Sequence, residues 1–260
     1  MRVMTYNIRN GGEPDRLGSV MRVVTAHRPD VLALQELRGF DREPGRLRAV
    51  ADATGMVPYL GRSRFGQPVA LLVRGSARVL ASRRIHRPFH HAAVEVTVVT
   101  DRGPLTAIST HLNPYSGWRR RWEARWVAGR VRRDRLMLVM GDLNTLDPWT
   151  DHTERLRALA PEFRGRHLRR GAVDSRAVAV LARAGLVDLF RHAGDPAGLD
   201  YTAPTAHGGG TEFSRMRLDY VLGTAGVAEL TCACRIVSGG EADSASDHYP
   251  VLAEFDLTLD

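Results

Sequence analysis

Lysine is absent from the sequence, so its 37 lysine-plus-arginine positions are all arginine. Against 29 acidic residues this leaves a formal net charge of +8. Arginine can make two parallel hydrogen bonds to a phosphate, so the charge is compatible with an anionic substrate. Complete replacement of lysine is more typical of a genome-wide compositional bias than of one binding site. The charge therefore supports a phosphate-binding function without establishing it.

Cysteine is almost absent, with Cys232 and Cys234 as the only two. Two residues apart on a predicted strand, they share a face but are badly placed to bridge each other, so packed thiols are expected. No apolar run approaches the roughly 18 residues that a membrane span needs. A strand pattern begins at Arg2, where a signal peptide would otherwise stand. We expect a cytoplasmic protein without membrane insertion.

The composition is otherwise that of an ordinary globular domain, with 43% apolar and 25% charged residues in a chain of 260. Such a chain can bury a sizeable core, and neither a repeat nor a long linker divides it. Short apolar runs such as Val31–Leu34 alternate with helical spacing, as over residues 17–24. Strand, helix and strand with short connections predict an α/β domain over residues 1–260, and we expect a monomer.

The apolar run Leu136–Met140 leads directly into Gly141-Asp142-Leu143-Asn144. Buried strands that break into a polar turn commonly deliver their last side chains to a cleft. Asp142 and Asn144 are two residues apart, so in extended backbone their side chains point the same way. A carboxylate beside an amide can hold a water molecule and a phosphate oxygen. The alternative is an Asx turn that closes the strand.

Other predicted strands end in polar side chains of similar chemistry. Any one of them alone is more typical of a cap, a turn or a surface residue. Together they are hard to explain in that way, because capping requires neither this chemistry nor its confinement to strand ends. The strand ends carry Asn7, Glu36, His111, Asp142 with Asn144, Asp219, and Asp247 with His248.

Two segments are rich in arginine. The first, 118–135, is predicted as a helix in which Trp118, Trp122 and Trp126 fall on one face. Such a stripe is more often part of a core than a platform for stacking bases. The second segment, Arg164–Arg170, is predicted as a surface loop, and a position at the substrate side is one alternative.

Two hairpins are also predicted from the strand patterns. One joins Val69–Arg74 to Ala77–Ala81, and a clearer one joins Ala92–Thr100 to Leu105–Thr110 around a short turn. The chain pattern is thus an α/β pattern with hairpins mixed in.

Six motifs follow one another along the chain: Thr5-Tyr6-Asn7, Leu34-Gln35-Glu36, Ser109-Thr110-His111-Leu112, Gly141-Asp142-Leu143-Asn144, Arg217-Leu218-Asp219-Tyr220 and Ser246-Asp247-His248-Tyr249-Pro250. In this order they resemble the endonuclease/exonuclease/phosphatase superfamily. This group contains deoxyribonuclease-I-like nucleases, abasic-site endonucleases, sphingomyelinases and inositol-polyphosphate 5-phosphatases. The resemblance covers essentially the whole chain. It implies a four-layer α/β sandwich, two packed mixed sheets flanked by helices, and metal-dependent cleavage of a phosphate ester.

Hydrolysis of a phosphate ester requires an activated water, neutralisation of phosphoryl charge and help for the leaving oxygen. Glu36 is the first choice as ligand of Mg²⁺ (or Mn²⁺), since hard oxygen ligands suit these ions. Asn7 would complete or support that site and Asp247 would share it. The resemblance implies that Asp142 orients or deprotonates the attacking water and that Asn144 holds a phosphate oxygen.

The resemblance also implies a pair of His248 with Asp219, in which the carboxylate fixes the tautomer and favours the imidazolium. His111 would donate to the phosphate or to the leaving group. At this position abasic-site enzymes tend to have Tyr, whereas nonspecific nucleases and sphingomyelinases have His. Arg217 is a further candidate for substrate binding.

The leading hypothesis is a Mg²⁺-dependent phosphodiesterase, a nuclease acting on DNA or RNA, with sequence-independent backbone contacts from the arginines of 119–135 and 164–170. The alternative is a phosphatase for a small soluble phosphate ester. Met216-Arg217-Leu218-Asp219 lacks the signature typical of the inositol phosphatases. A sphingomyelinase is disfavoured by the missing export signal and apolar hairpin. A noncatalytic binding module is disfavoured because every position that can be matched is retained.

Overall fold

Two six-stranded β-sheets form the centre of the computed structural model, which describes residues 1–12 and 15–260. The first sheet has the spatial order β13 (Thr231–Ile236), β14 (Val251–Phe255), β1 (Arg2–Asn7), β2 (Val31–Gln35), β4 (Val69–Arg74) and β3 (Met56–Gly61). The second has the order β11 (Leu186–Asp188), β12 (Asp219–Thr224), β8 (Leu136–Asp142), β7 (Gly103–His111), β6 (Ala93–Thr100) and β5 (Val79–Arg84). A small separate hairpin consists of β9 (Leu168–Arg169) and β10 (Ala172–Val173).

Helices cover the outer faces of the two sheets and fill the connections. They are α1 (Arg9–Gly12), α2 (Leu17–His27), α3 (Pro44–Thr54), α4 (Gly117–Ala128), α5 (Thr153–Ala158), α6 (Pro161–Arg164), α7 (Arg176–Arg183), α8 (Leu189–Ala193), α9 (Ala225–Glu229) and α10 (Ala242–Ala245). The longest ones start where the sequence favours it: α3 has proline in its first turn, and the Ser116 hydroxyl accepts a hydrogen bond from the Arg119 N–H at the start of α4. None of the helices in the described ranges combines the length and apolar character needed to cross a lipid bilayer.

The core has two main parts. The larger lies between the sheets and continues beneath α2, because strands such as β2 and β4 are apolar on both faces and bury both. The second lies under α4 and α7, on the outer face of the second sheet. Helix, sheet, sheet and helix therefore form the α/β sandwich that the motif resemblance implies, which confirms the predicted fold class.

The central strands are arranged in the same way in both sheets. Each contains one parallel pair, β1 with β2 and β7 with β8, and the flanking strands run antiparallel to that pair. The carboxyl ends of the parallel strands and the starts of their antiparallel neighbours therefore meet at the same edge of the sandwich. This edge collects polar side chains from distant parts of the sequence.

Several local predictions from the sequence are wrong. β4 and β5 do not form a hairpin: β4 pairs with β2 and β3 in the first sheet, and β5 pairs with β6 in the second. Trp118 and Trp122 are not core residues, with relative exposures of 61% and 40%. Cys232 is exposed and only Cys234 is buried, because the register shifts at a bulge beside Cys232.

The segment Arg164–Arg170 is more structured than the predicted surface loop. It runs from the end of α6 into the β9–β10 hairpin, and His167 within it is buried. The predicted helix 118–135 ends at Ala128.

Candidate active site

The sequence-predicted side chains meet at the common edge of the two sheets. Register places Asp142 opposite His111 on one side and opposite Asp219 on the other, since β8 lies between β7 and β12. In the first sheet Asn7 is opposite Gln35, the residue before Glu36. The two sheets thus bring their central strand ends together across the sandwich.

Asp142 contacts side chains from both sheets. Its Oδ2 atom lies 3.0 Å from the Asn7 side-chain nitrogen, 3.3 Å from His111 Nε2 and 3.9 Å from His248 Nε2. Burial opposes the charge of Asp142, but His111 and His248 hold the pKa of its carboxyl well below the usual range. Asp142 is therefore an ionised, almost fully buried acceptor surrounded by donors.

The backbone before Asp142 explains the glycine in the motif. Gly141 has φ of 145°, and a Cβ there would collide with the carbonyl oxygen of Thr110 on β7. Asn144 after it has φ of 49°, which turns the chain so that its own N–H donates to Asp142 Oδ1 at 2.8 Å. The turn is thus an Asx turn, and its side chains also face the cluster.

Asp219 and His248 form the expected pair. His248 Nδ1 lies 2.7 Å from Asp219 Oδ2, and both side chains are buried. Burial works against the charged imidazole, but the carboxylates of Asp219, Asp142 and Asp247 raise the pKa of His248 well above its usual value. The charged form of His248 is therefore favoured, and its Nε2 atom lies on the side of Asp142.

Glu36 and Asp247 form an acidic group on the side of the first sheet. The Asn7 amide donates to Glu36 Oε1 at 3.1 Å as well as to Asp142, so it bridges the acidic group and the buried carboxylate. Glu36 Oε2 accepts from the Asn10 N–H at 2.9 Å. Burial raises the pKa of Asp247, and Glu36 raises it further against the effect of His248. The two carboxylates repel each other.

This donor set fits a hard divalent cation. Two mutually repelling carboxylates with an amide oxygen or water beside them are the ligands that Mg²⁺ or Mn²⁺ prefers. Among the described residues, Asp142, Asp219 and His248 also offer ligand atoms within 4.8 Å of one another. In that second group the imidazole would have to lose the proton that its neighbours stabilise, so the chemistry of Glu36 and Asp247 fits a cation better.

His111 completes the cluster on β7. Its Nε2 lies 2.8 Å from the Asn144 side-chain nitrogen, and its ring stacks on that of His91 with centroids 3.8 Å apart and planes inclined by 7°. Burial works against protonation of His111, but the Asp142 carboxylate raises its pKa. In His91, burial and the neighbouring histidines lower the pKa. A neutral imidazole therefore lies flat against one that favours the charged form.

Arg217 does not belong to this group. Its guanidinium makes two hydrogen bonds to Asp188, at 3.1 and 2.6 Å, and a third to Asp147 at 3.2 Å. The side chain is buried and lies over the ring of Tyr220, 4.3 Å from its centroid. These contacts occupy the guanidinium in the interior, so the geometry does not support the assignment of Arg217 to substrate binding.

Sequence reasoning missed His91 and Gln67. His91 Nδ1 accepts from the Gln67 N–H at 2.9 Å, and the Gln67 amide lies 3.3 Å from Glu36 Oε2. Both precede strands, β6 and β4, that run antiparallel to the central pairs. The available signal was a polar residue just before a strand. Where such a strand runs antiparallel to its neighbour, its start lies at the same edge of the sheet as the neighbour's end.

Comparisons with known proteins agree with this architecture. A family model described as the Endonuclease/Exonuclease/phosphatase family matches residues 4–248, which include all the residues of the cluster. No curated protein matches the sequence.

Solved structures resemble the whole fold. An endonuclease/exonuclease/phosphatase from Bacteroides vulgatus superposes with a TM-score of 0.71 at 21% identity, covering 100% of this chain and 98% of that one. An AP endonuclease from Archaeoglobus fulgidus gives 0.73 at 19% identity, with 98% and 99% covered. D. rerio TDP2 complexed with single-strand DNA product gives 0.69 at 17% identity, with 98% of each chain covered. At these identities the likeness concerns the fold.

Proposed function

Because the chain belongs to the endonuclease/exonuclease/phosphatase family, whose members hydrolyse phosphoester bonds, we propose that it is a divalent-metal-dependent phosphodiesterase and that its substrate is nucleic acid. The observation that carries this proposal is the arrangement around Asp142. The arrangement brings together one ionised carboxylate and two imidazoles that favour the charged form. An acidic pair suited to a cation is connected to them through Asn7. Such a set supplies an acceptor for water and donors for phosphoryl oxygens.

In the proposed reaction Asp142 orients the attacking water and takes its proton as the new oxygen–phosphorus bond forms. The His248 imidazolium, held by Asp219, donates to a phosphoryl oxygen on which charge develops. Asn144 donates to a second such oxygen. The bond from phosphorus to the leaving oxygen breaks, and that oxygen receives a proton from His111.

Glu36 and Asp247 would hold Mg²⁺ or Mn²⁺, and Asn7 would keep Glu36 in place beside Asp142. When bound, the cation would supply charge neutralisation of the phosphoryl group. We also propose that residues 1–260 act as one domain, since both sheets contribute to the same cluster, and that the protein acts as a monomer.

The choice of nucleic acid is supported by two features. The net charge is +8, and all the Lys/Arg positions are arginine, whose guanidinium suits contacts to a phosphate backbone. Two structurally similar proteins are an AP endonuclease and a TDP2 bound to a single-strand DNA product, and we extend their substrate class to this chain as part of the proposal.

A side-by-side assay tests the proposal. Plasmid DNA, an abasic duplex, RNA and a set of small phosphate esters are incubated with the protein and Mg²⁺, and each reaction is repeated with EDTA. We expect nicking of nucleic acid that EDTA abolishes. Turnover of small monoesters alone would replace the nuclease by the phosphatase alternative, and undiminished activity in EDTA would contradict the metal requirement.

A further inference from the structure

A large groove lies on the open side of the sandwich, away from the cluster around Asp142. It runs between the edge strands β3 and β5 and is closed on its far side by the end of α4, with a volume of about 1110 Å³. The space is larger than a small phosphate ester would fill. Nothing in the proposed reaction uses it.

The groove is lined by arginine. Arg83, Arg84, Arg87, Arg125 and Arg130 contribute to its walls, and no Asp or Glu is among the described residues that line it. Behind the wall, Glu95 makes two hydrogen bonds of 3.0 Å to Arg130 and lies 3.7 Å from Arg83. One carboxylate for five guanidinium groups leaves the groove strongly positive.

Flat aromatic surface lies among these charges. Tyr59 on β3 and Trp126 on α4 both line the groove and are partly exposed. Guanidinium groups that contact phosphates, interleaved with rings against which bases or sugars can pack, are typical of surfaces that follow a nucleic-acid strand.

The groove adjoins a second depression that extends towards the cluster around Asp142. Arg84, Ile85, His86 and Arg87 line both the groove and this second depression, which also includes His91. His91 is the residue that stacks on His111. Arg62 and Arg64 add positive charge to the second depression, and Phe65 adds an exposed aromatic ring. Arginines therefore line the surface from the groove to the depression that contains His91, next to the cluster.

We propose that this groove binds the phosphodiester backbone of a nucleic acid on one side of the bond to be cleaved. The inference rests on the proposed function and narrows its substrate to a polymer that extends several nucleotides from the reaction site. An acidic protein could match the charge, but it would not explain why the arginine-lined surface extends towards a cluster suited to phosphate esters. The backbone contacts are independent of base sequence and weaken with salt.

The test compares two double variants that remove the same charge. Arg83→Ser/Arg87→Ser removes two exposed arginines of the groove. Arg78→Ser/Arg102→Ser removes two exposed arginines at the opposite end of the same strands, where Arg78 precedes β5 and Arg102 lies in the β6–β7 turn. Fluorescently labelled DNA and RNA duplexes of about 30 base pairs are titrated by anisotropy in EDTA, at several salt concentrations.

We expect the groove variant to bind the duplexes at least about tenfold more weakly than wild type, with a slope of log Kd against log salt that is lower by about 1 to 2. The Arg78/Arg102 variant should match wild type in both quantities. The ratio of kcat/KM for the duplex to that for bis(4-nitrophenyl) phosphate should fall only in the groove variant. Comparison of the DNA and RNA arms identifies the preferred polymer.

Equal affinity and equal salt slope in the two variants would overturn the groove inference while leaving nuclease activity intact. A wild type that binds duplexes through the groove yet hydrolyses only small esters would support the groove and refute the proposed nuclease. The two proposals can therefore fail separately.

Discussion

Asp219 contacts His248 through one carboxylate oxygen, and its other oxygen is buried without a hydrogen-bond partner in the described part of the chain. Asparagine has the same shape but no charge, so Asp219→Asn removes the counter-charge of the imidazolium while keeping the packing. We expect kcat for a small phosphodiester at saturating Mg²⁺ to fall by roughly 10²–10⁴-fold. The control is Asp256→Asn, an exposed carboxylate far from the cluster. If both variants retained wild-type kcat, Asp219 would have no part in the reaction.

His167 makes stability depend on pH. It is 5% exposed, and burial, with help from Arg120 and Arg166, lowers its pKa to about 3. In an unfolded chain a histidine titrates near 6.5. Between these values the unfolded chain binds more protons than the folded one, so the free energy of unfolding decreases as the pH falls from about 6.5 towards 3.

Replacement of His167 by glutamine should remove this contribution. We expect the free energy of unfolding of His167→Gln to fall less steeply with decreasing pH than that of wild type, by up to about 1.4 kcal/mol per pH unit. Urea unfolding at several pH values below about 6.5 measures the slopes. The exposed His86, replaced in the same way, is the matched control. Identical slopes for wild type and His167→Gln would show that folding does not lower the pKa of His167.

At the scale of elements, helix α4 holds two loops of the site in place. Its buried Glu123 accepts the N–H of His90 at 2.7 Å and the N–H of Asn113 at 2.6 Å. These loops adjoin His91 and His111. Glu123→Ala leaves the buried Asn113 N–H and the partly buried His90 N–H without this partner, and an unpaired buried N–H costs about 1–3 kcal/mol. We therefore expect a lower free energy of unfolding, from urea titration, together with a reduced kcat.

Glu154 on α5 provides the control for this variant. It is an exposed glutamate near the start of its helix, and Glu154→Ala removes the same group without touching a loop of the site. We expect a change in stability below about 1 kcal/mol and an unchanged kcat. A kcat in Glu123→Ala equal to that of Glu154→Ala would mean that α4 supports the fold but not the position of the histidines.

The elements also show how far the sequence could predict the structure. Apolar runs located β1, β2 and β8 because they are buried on both faces, and their polar ends pointed to Asn7 and Asp142. Strand pairing was harder to predict from the sequence, because alternation of apolar and polar residues identifies a strand but not the strand it pairs with. β4 is buried in the first sheet whereas β5 is an exposed edge of the second, so the short connection between them changes sheets instead of forming a turn.

Helix α4 gives a second physical reason for a wrong prediction. Hydrophobicity favoured burial of its tryptophan face, but the buried face contains Arg120, Glu123, Ala124 and Val127. Arg120 donates to the carbonyl oxygens of Asn113 and Arg166. These polar contacts accompany burial of the arginine face, and the partner at Arg166, 46 residues away, is not revealed by any local pattern.

For the whole molecule, a cation held by Glu36 and Asp247 would join segments more than two hundred residues apart. Binding to the folded state alone stabilises it by mass action. We expect Mg²⁺ to raise the Tm of wild type in a thermal melt and EDTA to reverse the increase. Glu36→Gln should remove most of the effect because it takes away one of the two charges. An equal increase in Tm for Glu36→Gln and wild type would place the cation elsewhere.

The arrangement of β1 has a consequence for biosynthesis. The strand pairs with β2 and with β14, which follows it more than two hundred residues later in the sequence, and Ser246 before β14 donates to the carbonyl oxygen of Asn7 at 2.7 Å. A polypeptide whose translation stops before residue 248 lacks the histidine that faces Asp142. Such incomplete products are thus unable to assemble the cluster.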